Sequence, residues 1–247
     1  MKKSIDEFKK LFLKVKAQGF IETHRKGNTG IGKTFEDCCC IVENNFDEAD
    51  FKGIEIKSQR AYTGSYLTLF TKAPTWPQSA NTLLRERYGT PDKEYDDVKV
   101  LHTSIFADQF NTHKSGYGFK IKIDRINEKI LLLVKNLKEE KIVSDEIYWS
   151  FEVIRNVIEK KLQYLAYITA KVKNENNKEF FHFTSMIILK GLTFDKFLNL
   201  FEDGYIMFDV RIGAYKSGKN AGKTHDHGSG FRLSKNYLDL AFEREEV

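Results

Sequence analysis

Two carboxylates and an ammonium, those of Asp50, Glu55 and Lys57, sit in the stretch Asp50-Phe51-Lys52-Gly53-Ile54-Glu55-Ile56-Lys57-Ser58. Ile54 and Ile56 alternate with Glu55 and Lys57, so a strand of period two sets both isoleucines on one face and both charges on the other. Gly53 can bend the chain before that strand and bring the Asp50 carboxylate beside Glu55. Paired carboxylates are oxygen ligands for a hard divalent cation such as Mg2+, and the lysine beside them can hold an attacking water or steady developing charge. The chemistry this implies is metal-assisted hydrolysis of a phosphate ester. Taken alone, the spacing better suits a solvated edge strand with two charges facing water, so the rest of the chain has to decide.

A second concentration of chemistry lies further on. Alternation over residues 205–212 sets Asp209 and Arg211 on the polar face of a strand, opposite Ile206, Phe208 and Val210. The chain then reads Lys216-Ser217-Gly218-Lys219-Asn220-Ala221-Gly222-Lys223, followed by Thr224-His225-Asp226-His227-Gly228-Ser229-Gly230-Phe231-Arg232. A loop this rich in glycine and lysine can follow a DNA backbone, with Lys219 and Lys223 as phosphate contacts. Arg211, Arg232, Asp209, His225, Asp226 and His227 offer the groups that read G and C edges. Arg60, just past the first strand, is a further candidate phosphate contact. A solvated loop is the plain alternative, and His225-x-His227 has no convincing partners in sequence for a zinc site. His24, His102, His113 and His182 have no partner that sequence can name.

The elements must carry these groups into place. Ser4-x-x-Glu7 has the form of a capping box and predicts a helix with Ile5, Phe8, Leu11, Phe12 and Val15 on one face, ended by Gly19. Gly27 to Gly32-Lys33-Thr34 matches the spacing of a phosphate loop, but the preceding Glu22-Thr23-His24-Arg25-Lys26 is polar where that loop needs a buried strand. The alternative is a flexible glycine loop feeding a helix over 34–43, with Glu36 in its first turn. Strands are expected around Ile54 and over 66–70, 98–106 and 205–212, and helices over 77–88, 147–162 and 193–201. Two hairpins pair 118–124 with 129–134, and 164–172 with 180–189 across Asn174-Glu175-Asn176-Asn177. The expected class is α/β, a mixed sheet with flanking helices, in a single domain of residues 1–247.

Bulk properties narrow the partners. The 247 residues are 41% hydrophobic and 30% charged with a net charge of +5, a globular composition whose basic bias suits a phosphate backbone. The chain has no signal peptide and no apolar run of membrane-spanning length, so a cytoplasmic location is expected. Cys38, Cys39 and Cys40 are consecutive, which argues against a CxxC zinc site or an ordinary disulfide and predicts small buried side chains.

The loop Gly27-x-x-Gly30-x-Gly32-x-Thr34-Phe35-Glu36, then Asp50, then Gly53-Ile54-Glu55-Ile56-Lys57-Ser58-Gln59-Arg60 resembles the MvaI/BcnI family of Type II restriction endonucleases, in the MutH-like branch of the PD-(D/E)XK nucleases. That resemblance implies a restriction-endonuclease-like core with two lobes around a DNA cleft, residues 1–110 catalytic and 140–247 for recognition. It implies one or two Mg2+ ions on Asp50, Glu55 and the Ile56 carbonyl, Lys57 as the catalytic lysine, and Glu36 as an orienting helix glutamate. The implied substrate is double-stranded DNA with a CC-N-GG site, here CCWGG cut before the central base. The implied enzyme is a monomer that cuts the strands in turn, in a cell with a cognate DNA methyltransferase. Alternatives remain: a MutH-like nicking repair enzyme, a DNA-binding regulator that never cuts, or a phosphate-loop hydrolase.

Overall fold

Ile54 and Ile56 turn inward as their spacing requires, and the rest of the fold can be traced from the sheet they help to build. The computed structural model describes residues 1–42, 48–61, 66–95 and 97–246. In chain order the elements are α1 (Lys2–Lys16), β1 (Ile21–Glu22), α2 (Gly30–Cys38), β2 (Glu55–Arg60), β3 (Leu67–Thr71), α3 (Ala80–Tyr88), β4 (Thr90–Pro91) and β5 (Lys99–Ile105). Next come β6 (Tyr117–Asp124), β7 (Lys129–Asn136), β8 (Lys141–Ser150), α4 (Phe151–Lys161), β9 (Tyr164–Glu175) and β10 (Lys178–Lys190). The last are α5 (Phe194–Glu202), β11 (Ile206–Ala214), β12 (Thr224–Asp226), β13 (Gly230–Leu233), α6 (Leu238–Ala241) and β14 (Glu243–Glu246). The class is mixed α/β, as the alternating patterns predict. Among the described residues no helix is long and apolar enough to cross a membrane.

Contacts divide the chain into two compact units, Met1–Ser65 with Val157–Thr193 and Leu238–Val247, and Tyr66–Asn156 with Phe194–Tyr237. These boundaries differ from the contiguous lobes expected at 1–110 and 140–247. The reason is one long-range pairing: β2 runs parallel to β9, Glu55 opposite Leu165 through Arg60 opposite Ala170, which draws the later hairpin to the early strand.

In the first unit the strand order is β1-β10-β9-β2, with β14 also on β10. The hairpin of β9 and β10 turns at Asn176 and Asn177, both left-handed with φ of 51° and 60°, a conformation asparagine tolerates well. From α1 come Ile5, Phe8, Phe12 and Val15, and from α2 Ile31 and Phe35. They pack on Ile54, Ile56, Ala166, Ile168, Phe181 and Phe183. Phe8 and Phe35 are fully buried, and truncating either to alanine would cost about 3–5 kcal/mol. Ser4 is not a cap. α1 starts three residues earlier than a Ser4 cap would set, with Met1 at the cap position and its carbonyl accepting from Ile5 N at 3.0 Å, so Ser4 lies inside the first turn.

In the second unit one sheet has the order β3-β13-β11-β5-β4 with β12 on β11, and another the order β6-β7-β8. Aromatic rings fill its core: Phe231 lies 4.8 Å from Phe70, 5.0 Å from Phe208 and 5.6 Å from both Phe197 and Phe201. The helix expected over 147–162 begins only at Phe151. Ile147 and Trp149 are buried and alternate with more exposed neighbours, and they pair with Leu132 and Ile130 in the sheet. Their period of two overrides the helical pattern that follows.

Candidate active site

A tight turn builds the site in the first unit. Phe51 and Ile54 exchange both backbone hydrogen bonds, at 2.9 and 2.8 Å, across Lys52 and Gly53, which have φ of 44° and 87°. A two-residue turn that pairs 51 with 54 sets Asp50 against Glu55. Asp50 Oδ2 accepts from Ile56 N at 2.8 Å, which shows that Ile56 directs its backbone groups away from β9. Because the N–H and C=O of a strand residue lie on one edge, the Ile56 carbonyl faces the Asp50 side as well.

Glu55 is 4% exposed. Its Oε1 takes a 2.5 Å contact from Lys57 Nζ, while its Oε2 is buried with no partner among the described residues. Burial pushes the Glu55 carboxyl above the ordinary carboxylate range; Lys57 opposes that shift and the Asp50 charge adds to it. An unpaired buried carboxylate oxygen beside a second carboxylate is costly in the protein alone and is relieved by a cation. The donors are all oxygens, two carboxylates and a carbonyl, which fits a hard ion such as Mg2+ that keeps water in its remaining positions. Among the described residues no three His, Cys, Asp or Glu side chains gather around a metal position.

The glycine loop behaves differently from either expectation. α2 starts at Gly30, not Thr34, because Thr29 to Gly32 already follow the helix, so Glu36 lies in the second turn. Its Oε1 stands 3.7 Å from where a Cβ on Gly32 would be. Gly30 is packed rather than flexible: a Cβ there would come within 2.1 Å of the Arg25 carbonyl. The residues of the phosphate-loop match are engaged internally. Lys33 Nζ pairs with Asp37 Oδ1 at 2.7 Å, and the Thr34 hydroxyl donates to the Gly30 carbonyl at 2.7 Å. Lys33 and then His24 hold the Asp37 carboxyl below its ordinary range. The expected extension of the helix to Glu43 falls partly outside the described residues.

Arg60, expected as a phosphate contact, is tied to its own unit. Its Nε and Nη2 each donate to Glu179 on β10 at 2.8 Å, and Nη2 and Nη1 reach the Gly27 and Asn28 carbonyls at 3.2 and 3.4 Å. One guanidinium joins the catalytic strand, the neighbouring hairpin and the turn before α2. Of the cysteines, Cys39 is buried and its thiol is pushed up to about 12, whereas Cys38 is half-buried and Cys40 is exposed at the helix end.

The second unit gathers the remaining candidates. Asp209, 8% exposed, lies 2.6 Å from Arg211 Nε and 2.9 Å from Arg232 Nε. The second contact is ionic only, since that N–H does not point at the oxygen. Arg232 also donates to the Thr68 hydroxyl and the Gly228 carbonyl, at 2.8 and 3.0 Å, and burial lowers its pKa against the pull of Asp209. His225 stacks on Tyr215 at 4.3 Å and meets the edge of His227 at 4.3 Å. The His227 ring fills the space over Gly213, where a Cβ would lie 2.8 Å from its Nε2. Burial, then His225 and His102, hold His227 below the ordinary histidine range. Asp226 turns inward: its Oδ1 accepts from Gly228 N and Ser229 N at 2.9 and 2.6 Å, and its Oδ2 from Asn81 at 2.9 Å. It organises the turn. Lys219 and Lys223 are exposed.

Sequence reasoning missed His102, which β5 sets opposite Arg211. It also missed Ser104 and Thr68, which support Asp209 and Arg232. Their partners lie on other strands, and only strand register reveals those neighbours.

Comparisons with known proteins show the family. A family model described as the MvaI/BcnI restriction endonuclease family matches residues 9–242. Among solved structures the chain is similar to a restriction endonuclease MvaI–cognate DNA substrate complex, at 41% identity and a TM-score of 0.92, covering 100% of this chain and 99% of that one. It is also similar to restriction endonuclease MvaI in the absence of DNA, at 40% identity and a TM-score of 0.64, covering 100% and 98%. No curated protein matches.

Proposed function

The chain belongs to the MvaI/BcnI restriction endonuclease family and is a DNA-cleaving hydrolase with a PD-(D/E)XK-type fold, and on that premise we propose that it cuts double-stranded DNA at CCWGG, before the central base, in a magnesium-dependent reaction. The observation that carries the metal assignment is the buried Glu55 Oε2 beside Asp50, with no hydrogen-bond partner among the described residues. Asp50, Glu55 and the Ile56 carbonyl are the ligands of one or two Mg2+ ions. When bound, magnesium supplies positive charge at the scissile phosphate and acidifies nearby water. Lys57, free to leave Oε1 once Glu55 has a cation, orients the attacking water or stabilises the charge that builds on the phosphate. Glu36 orients the site from α2. The products carry 5′-phosphate and 3′-hydroxyl ends.

Recognition belongs to the second unit in this reading, with Arg211 and Arg232 held in fixed directions by Asp209 and presented to guanine edges. His225 and His227 lie beside them, and Lys219 and Lys223 contact phosphates. The enzyme works as a monomer, in the cytoplasm of a cell that also holds a methyltransferase protecting the same site. The test is digestion of unmethylated phage DNA with magnesium and with EDTA, followed by sequencing of the ends. Fragments formed only with magnesium and ending at CCWGG are expected. Fragments ending at another sequence overturn the site, and cutting in EDTA overturns the metal assignment.

A further inference from the structure

We propose that α3 is the brace that holds the reading segment in register, and that Asn81, Thr82 and Arg85 are positioning residues for sequence discrimination. The inference rests on the assignment of residues 209–232 to DNA reading. Asn81 and Arg85 are four apart on the helix and Thr82 and Arg85 three apart, so all share one face. From that face Asn81 Nδ2 donates to Asp226 Oδ2 at 2.9 Å, and the hydroxyls of Thr82 and Thr224 meet at 2.8 Å. Arg85 Nη2 donates to the Gly222 carbonyl at 3.2 Å.

Asp226 and Thr224 lie on one face of β12, and His225 between them points to the other. α3 therefore grips the back of the segment and leaves the histidine side open. The hold reaches further, because Asp226 also caps Gly228 N and Ser229 N, and the Gly228 carbonyl accepts from Arg232. A chain of hydrogen bonds runs from Asn81 through Asp226 and the 226–229 turn to an arginine in the proposed reading set. Arg85 itself is 6% exposed, so the donor of the link to Gly222 is held in place by the packing around it. Base-edge readout tolerates little displacement, and residues that fix the carrier segment govern discrimination without touching DNA.

The test is a gel-shift titration of the full-length protein in EDTA, on a CCWGG duplex and on the same duplex with one G·C pair replaced by A·T. Asn81→Ala and Thr82→Val are expected to lower the ratio of the two affinities about tenfold each while leaving binding to the altered duplex unchanged. Thr82→Ser, which keeps the hydroxyl, is expected to retain the original ratio. An unchanged ratio in Asn81→Ala and Thr82→Val, or an equal fall on both duplexes, overturns the brace. His225→Ala on the same duplexes locates such a failure. If it also keeps the ratio, the segment does not read bases; if it alone loses the ratio, the segment reads without help from α3.

Discussion

Glu55 pulls stability and activity in opposite directions. Its buried Oε2, unpaired among the described residues, is a burden on the metal-free fold, and in the proposed site the same atom is a ligand once a cation arrives. Glu55→Gln should abolish cleavage yet raise the melting temperature in EDTA, read by calorimetry with and without magnesium. A lower melting temperature in EDTA would remove the argument. Lys57→Ala should slow cleavage at least about a hundredfold while leaving duplex binding intact, because the lysine acts on the reacting phosphate and not on the bases. His113 makes a pH prediction. It is 8% exposed, and burial, with Lys114 and His102 adding, holds its imidazole below the ordinary histidine value of 6.5. The unfolded chain then takes up a proton at higher pH than the folded one, so stability present above the ordinary value is lost as pH falls through the folded value. Denaturant midpoints should drop between about pH 7 and about pH 5, and His113→Gln should flatten that slope.

Elements with a clear period were legible, and those shaped by distant partners were not. The hairpin of β9 and β10 announces itself through apolar alternation and a polar turn of asparagines. Asp50, Gly53 and Glu55 could be read together because one local turn sets them side by side. The start of α2 was not legible, since Gly27, Gly30 and Gly32 look alike in sequence but do different work. Gly27 is left-handed with φ of 86°, whereas Gly30 is helical and pressed against the Arg25 carbonyl. Gly30→Ala should therefore cost about 2 kcal/mol in denaturant unfolding, more than helix propensity alone would return. An alanine that stabilises the protein would show that the loop of residues 23–25 can move aside. The inward turn of Asp226 was equally hidden, because its partner Asn81 is far away in sequence and only the packing of α3 brings them together.

For the molecule as a whole, the proposed monomer with one catalytic site would have to cleave the two strands in separate events. Supercoiled plasmid with a single site should pass through an open-circular form before becoming linear, followed on agarose over time. Direct conversion to linear product at every enzyme concentration would instead require two copies acting together. Family membership was visible in residues 27–60, but the division into units was not, because it depends on β9 returning to β2. That return also bears on how the enzyme is made. Residue 55 waits for residue 165, so on the ribosome β2 has no parallel neighbour until the later hairpin has been synthesised. A nascent or prematurely terminated chain that ends before β9 carries Asp50, Glu55 and Lys57 on an unsupported strand. On the proposed assignment of those residues, a chain truncated before Tyr164 is expected to leave DNA uncut, so that cutting would await the segments that select the site.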